Sequence, residues 1–116
     1  MTYNEEDTKL HLITPTLQKV GWVGPRITMK YPITAGQIVL QGDGHQKLQP
    51  QKADYLLRYG EALPIAVVEA KDEDHAIGAG LQQAMGYAEK LGLLFAYSSN
   101  GHGFEEWDFT SNTQRS

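Results

Sequence analysis

Two runs of β-favouring residues, 53–59 and 65–70, are separated only by Gly60-Glu61-Ala62-Leu63-Pro64, and so short a connection joins neighbouring antiparallel strands. The rest of the chain must therefore cover a central hairpin. Upstream, Leu10, Ile13, Leu17 and Val20 recur at helical spacing across residues 4–20, which predicts one amphipathic helical region. Pro15 falls inside it; because proline fits best in a first turn, Thr14 is expected to cap a second helical piece and Gly21 to close it. Downstream, Ile77, Leu81, Ala84, Met85 and Ala88 repeat the helical period over 75–91. Gly78, Gly80 and Gly86 each cost that helix about 1 kcal/mol against alanine, and point to close approach by a neighbour. Residues 22–40 read as one or two short strands, 41–52 as a polar connection, 93–97 and 104–109 as strands, and 98–101 as a turn. The order helix, strands, helix, strands predicts a single domain of α/β (α+β) class, a mixed sheet flanked by helices.

A length of 116 residues, with 41% hydrophobic and 21% charged residues, suits one domain with one modest core. With no apolar run of about 18 residues and no basic-then-apolar leader, neither a membrane span nor a secretory signal is expected. Zero cysteines exclude a disulfide scaffold and Cys-ligated metal, and fit a reducing cytoplasm. The formal net charge of −4 argues, taken alone, against a domain that holds nucleic acid by neutralising phosphates.

Alternation along the second hairpin strand places Ile65, Val67, Glu69 and Lys71 on one face and Ala66, Val68 and Ala70 on the other. If the turn is centred between Glu61 and Ala62, so that Gly60 faces Leu63, Asp54 falls directly opposite Glu69. Two carboxylates so placed repel unless something positive sits between them. A divalent cation is the natural candidate, and ligands that are all oxygen favour Mg²⁺ or Mn²⁺ over Zn²⁺. In the opening helix Glu6 lies at the centre of the stripe formed by Leu10, Ile13 and Leu17, with Glu5 and Asp7 to either side. An acid aimed at the core needs a partner or a metal-bound water; an acid near a helix start is also simply favourable to the helix dipole. Gln83 and Tyr87, four residues apart, share a helix face at the edge of the apolar stripe. They can reach a ligand beside the sheet or form an ordinary solvated edge. His11, His45, His75 and His102 show no metal-binding spacing, and Trp22 and Trp107 read as core or edge aromatics.

Asp54, then Glu69-Ala70-Lys71, then the Gln83 to Tyr87 spacing resembles the PD-(D/E)XK nuclease superfamily. More narrowly, Ala53-Asp54-Tyr55-Leu56-Leu57, residues 63–71, and Ser99-Asn100-Gly101 before Trp107-Asp108 resemble the N-terminal endonuclease domain of the R subunit of type I restriction-modification enzymes. The opening Glu5-Glu6-Asp7-Thr8-Lys9 is similar to that family's first segment, which more often has Thr-Arg where this chain has Thr8-Lys9. The resemblance implies a restriction-endonuclease-like core that cuts double-stranded DNA, with Mg²⁺ (Mn²⁺ as substitute) on Asp54, Glu69 and the Ala70 carbonyl. It implies that Lys71 orients or activates the attacking water, that Glu6 is a helix-borne active-site acid, and that Gln83 and Tyr87 contact DNA or support the catalytic elements. It further implies a piece of a longer cytoplasmic subunit that meets methyltransferase and specificity subunits, and uses ATP, only through other domains. No phosphate-binding Gly-x-x-x-x-Gly-Lys-Ser/Thr loop occurs here, so ATP is not expected to bind this chain in the manner of such motors.

Two other readings compete: a free-standing repair or junction nuclease of the same superfamily, and a non-catalytic DNA-binding or docking module. The intact Asp54, Glu69 and Lys71 set speaks against the last. With Asp54, Glu69 and Glu6 committed to one metal site, the remaining surface carries about −1. Such a domain is expected to cut DNA delivered by neighbours rather than to grip it alone.

Overall fold

A computed structural model describes residues 2–33 and 51–116. Among the described residues six strands form one sheet in the order β1 (Ile27–Ile33), β2 (Gln51–Tyr59), β3 (Leu63–Ala70), β4 (Phe95–Ser99), β5 (Phe104–Asp108) and β6 (Thr113–Arg115). All neighbours are antiparallel except β3 and β4, whose parallel pairing is bridged by helix α3 (Leu81–Leu91). The opening helical region, α1 (Glu5–Thr8) running into α2 (Thr14–Lys19), covers the opposite face. This is the expected mixed sheet between helices, an α+β fold. Residues 34–50, which include part of the 22–40 strand region and most of the polar connection, lie outside the described residues. Gln51 and Lys52, expected in that connection, belong to β2.

Each face of the sheet has its own apolar cluster. Leu56, Val67 and Ala96 pack under Leu81, Ala84, Tyr87 and Ala88 of α3. Tyr55, Leu57, Ala66, Val68 and Ala70 pack under Ile13 and Leu17. Strand β3 is covered on both sides, which is why its residues 66–68 and 70 are all small or apolar. Trp22 and Trp107 are partly buried beside the clusters, as expected of core or edge aromatics. Among the described residues no helix is long and apolar enough to cross a membrane.

The opening helix departs from its expected phase. Between α1 and α2 the chain makes a π-helical turn, Lys9–Ile13, in which the Thr14 N–H donates to the Lys9 carbonyl five residues back. Proline at position 15 has no N–H, and its ring would crowd the carbonyl four residues earlier; a widened turn relieves that crowding. The extra residue rotates everything before it by about 100° relative to Ile13 and Leu17. Leu10, expected inside, is therefore 63% exposed, while Thr8 and Lys9 are buried. Glu6 does not face the core. Thr14 does not cap α2 either: its hydroxyl shares a 2.7 Å hydrogen bond with the Tyr55 hydroxyl. Gly21 does terminate the region, at φ +106°.

Helix α3 begins at Leu81 rather than near His75, because two glycines in the preceding segment weaken any helix there. Of the three glycines expected to mark close approach, Gly78 lies against Glu105 and Gly80 against Ser98 and Glu69, while Gly86 has open space. Ser98 and Ser99, expected in a turn, extend β4 and pair with Glu69 and Ala70.

Candidate active site

The hairpin register brings Asp54 and Glu69 together by an unexpected route. Tyr59 pairs with Leu63, so residues 60–62 form a three-residue turn in which Gly60 takes φ +63°. A turn of that length alone would shift the register by one. Ile65 offsets it as the extra residue of a β-bulge, since Leu57 pairs with Ala66 and Arg58 with Pro64. Beyond the bulge Tyr55 faces Val68, and Asp54 falls opposite Glu69 as expected. Ile65 itself is turned to the Ala66 side, against the expected alternation.

A second irregularity aims Asp54. Ala53 and Tyr55 would share a face of a regular strand, yet they pack in opposite clusters. On the neighbouring strand Met29 pairs with Tyr55 and Tyr31 with Ala53, and between them Lys30 takes φ +54°. A non-glycine residue in the left-handed region costs of order 1 kcal/mol or more. The face reversal occurs at Asp54, which allows groups from both helical layers to meet there.

The two carboxylates are held by each other's strands. The Asp54 N–H donates to Glu69 Oε2 at 2.8 Å, and the Ala70 N–H donates to Asp54 Oδ2 at 2.8 Å. Glu69 is buried, and burial together with the Asp54 charge pushes its carboxyl up to about 8. Among the described residues, its Oε1 takes no hydrogen bond. From the helical layer the Lys9 ammonium reaches Asp54 Oδ1 at 3.2 Å and Glu6 Oε1 at 2.7 Å. Burial works to lower the Lys9 pKa, but the hydrogen bonds and charges of Glu6 and Asp54 outweigh it and the net shift is upward. Glu6, with a 64% exposed side chain, joins the cluster only through Lys9, whose hydrogen bond and charge lower its carboxyl.

On the α3 side, Gly80 packs over Glu69 and Lys71. A β-carbon there would lie 3.2 Å from Glu69 Cβ, 3.5 Å from Lys71 Cε and 3.1 Å from Ser98 Oγ. Ser98, fully buried, accepts from the Gly80 N–H at 2.9 Å and donates to the Ile77 carbonyl at 2.7 Å. The Lys71 N–H donates to the Ser99 carbonyl, which extends the β3–β4 pairing to the lysine. Among the described residues the Lys71 side chain forms no ion pair or hydrogen bond. Gln83 Nε2 donates to the Tyr87 hydroxyl at 2.7 Å; the pair forms as expected, with Tyr87 in the α3-side core and Gln83 exposed, and among the described residues no hydrogen bond joins it to Asp54 or Glu69.

Sequence spacing thus locates Asp54, Glu69 and Lys71, and the structure brings them to one end of β2–β3. Lys9, Gly80 and Ser98 were outside the expected site. Lys9, four residues before Ile13, stands at the edge of the apolar stripe and was a usable signal, as was a glycine just before a helix, whereas Ser98 is hidden by its reading as a turn residue. Among the described residues no three His, Cys, Asp or Glu side chains converge on one point. The donors available to a metal are therefore two carboxylates and backbone carbonyls. That set fits Mg²⁺, which is commonly held through one or two carboxylates with water completing its shell.

No protein-family model matches the sequence. The chain is similar to the type I restriction enzyme EcoAI endonuclease subunit of Escherichia coli, with 31% identity over 108 residues, 92% of this chain but 13% of that protein. It is also similar to a solved fragment assigned as the HsdR subunit of a type I restriction enzyme from Vibrio vulnificus YJ016. The TM-score is 0.86 and the identity 45%, covering 99% of this chain and 23% of that one. The chain spans a quarter or less of the length of these relatives. Over nearly its whole length it is a homologue of one segment of the endonuclease (HsdR) subunits of type I restriction enzymes.

Proposed function

We propose that the chain is a metal-dependent DNA endonuclease domain of PD-(D/E)XK type that hydrolyses phosphodiester bonds of double-stranded DNA in a type I restriction system. The observation that carries this reading is the pair Asp54 and Glu69, joined across β2 and β3, with Lys71 beside them along Gly80. Two carboxylates on facing strands, one of them buried, repel unless a cation or a proton sits between them. Asp54, Glu69 and the Ala70 carbonyl would hold Mg²⁺ or Mn²⁺. When bound, such an ion makes its water more acidic and draws charge from the scissile phosphate.

The protein's own groups supply the rest. Lys71 offers a compact, movable positive charge that offsets charge building on the phosphate and orients the attacking water. Gly80 leaves the space in which Lys71 lies, and Ser98 fixes the backbone of Gly80. Glu6 anchors Lys9, and Gln83 with Tyr87 supports α3 or contacts the DNA backbone. Binding to methyltransferase and specificity subunits, and use of ATP, belong to other regions of the longer subunits.

Isothermal titration with Mn²⁺ tests the reading. Binding should be lost in Asp54→Ala and in Glu69→Ala, while Lys71→Ala keeps the metal and loses cleavage in the complete restriction enzyme. Binding that survives both acid substitutions refutes it.

A further inference from the structure

Asp54 has two oxygens with different duties. Oδ2 is committed to the Ala70 N–H, and Oδ1, the one left for a cation, is already covered by the Lys9 ammonium at 3.2 Å. Lys9 is buried at 2% exposure, where a charge without a partner is costly. It has a second seat, however: Glu6 Oε1 at 2.7 Å, on a side chain that is mostly exposed. Lys9 lies four residues before Ile13 and so on the same side of the helical region, and the π-helical turn brings Thr8 inward beside it while turning Leu10 out.

We propose that Lys9 is a built-in counter-cation of the carboxylate pair, a positioning residue that holds Asp54 in place before metal binds and withdraws onto Glu6 when a divalent ion takes Oδ1. The proposal rests on the metal site described above. It makes Lys9 an antagonist of metal binding as well as a support of the fold, and it gives Glu6 its task as the residue that receives the displaced ammonium.

These two roles predict opposite signs in two measurements. In the Lys9→Met protein the urea midpoint in chelator should fall, while Mn²⁺ affinity, measured by titration calorimetry, should rise by about tenfold or more because a positive charge next to the ion is gone. A residue with a merely structural role would lower both. Lys9→Arg, which keeps the charge, should return Mn²⁺ affinity to that of the unaltered chain.

Should Lys9→Met fail to fold, the exposed Glu6 decides the matter. Glu6→Gln removes the second seat and should weaken Mn²⁺ binding several-fold more than Glu5→Gln, which makes the same charge change on the same helix. Unchanged or weaker Mn²⁺ affinity in folded Lys9→Met, or equal effects of Glu6→Gln and Glu5→Gln, overturns the proposal. Absence of Mn²⁺ binding in the unaltered chain would instead overturn the metal site itself, and this inference with it.

Discussion

Replacing Glu69 by glutamine should remove a pH dependence from the stability of the metal-free protein. The folded state holds a proton on Glu69 up to about pH 8, because burial and the Asp54 charge both oppose ionisation. The unfolded chain releases that proton near the ordinary glutamate value of 4.5. Between those limits the folded state binds the extra proton, so its stability declines as pH rises through the folded-state value. One proton per molecule corresponds to a slope of about 1.4 kcal/mol per pH unit. From about pH 5.5 to about pH 7.5, inside the window, the loss has a ceiling of roughly 2.7 kcal/mol. Asp54 keeps a 20% exposed side chain, so water screens part of the repulsion and roughly 1–2 kcal/mol is the working expectation. Urea unfolding in chelator, followed by tryptophan fluorescence at several pH values, measures it. Groups that titrate in both proteins cancel in the difference between the unaltered chain and Glu69→Gln. That difference should shift by roughly 1–2 kcal/mol in favour of the variant as pH rises. Parallel pH profiles, or a shift of the opposite sign, would show that Glu69 is not held protonated by its surroundings.

Gly80→Ala should cost about 1–3 kcal/mol in the same unfolding measurement, because the added carbon meets Glu69 Cβ at 3.2 Å and Ser98 Oγ at 3.1 Å with little freedom to move either. A cost under about 0.5 kcal/mol would mean that the loop yields easily. Ser98→Ala deprives a buried N–H and a carbonyl of their shared partner and should destabilise by about 1–3 kcal/mol. In crystals of that variant the segment before α3 should be displaced around Gly80, and an unmoved segment would remove Ser98 from the site's support. In the Mn²⁺ titrations described above, loss of binding should be confined to the two acids, with Lys71→Ala unaffected.

A good part of this molecule is legible in one dimension. Hairpin, flanking helices and mixed sheet follow from hydrophobic period and from the short link between residues 59 and 65, since a strand that buries both faces and a helix that buries one need different spacings of apolar residues. The opposition of Asp54 and Glu69 is legible too, although the turn assumed for it was wrong: a three-residue turn and the Ile65 bulge each shift the register by one, in opposite senses. A pairing sum contains only the net shift, so the two errors cancelled.

Where the charges go is set by packing. Periodicity assumes an unbroken helix and an unbroken strand, and the site sits where both are broken. Widening of the helix ahead of Pro15 turns Leu10 outward and Thr8 inward beside Lys9, and the reversal at Lys30 and Asp54 presents the aspartate to that lysine. The amino-acid sequence settles the fold class and the two strands that hold the carboxylates, because local propensity and burial pattern act residue by residue. It left open which cation answers those carboxylates in the folded protein, because that depends on rotations of about 100° accumulated at single irregular turns and resolved only by packing.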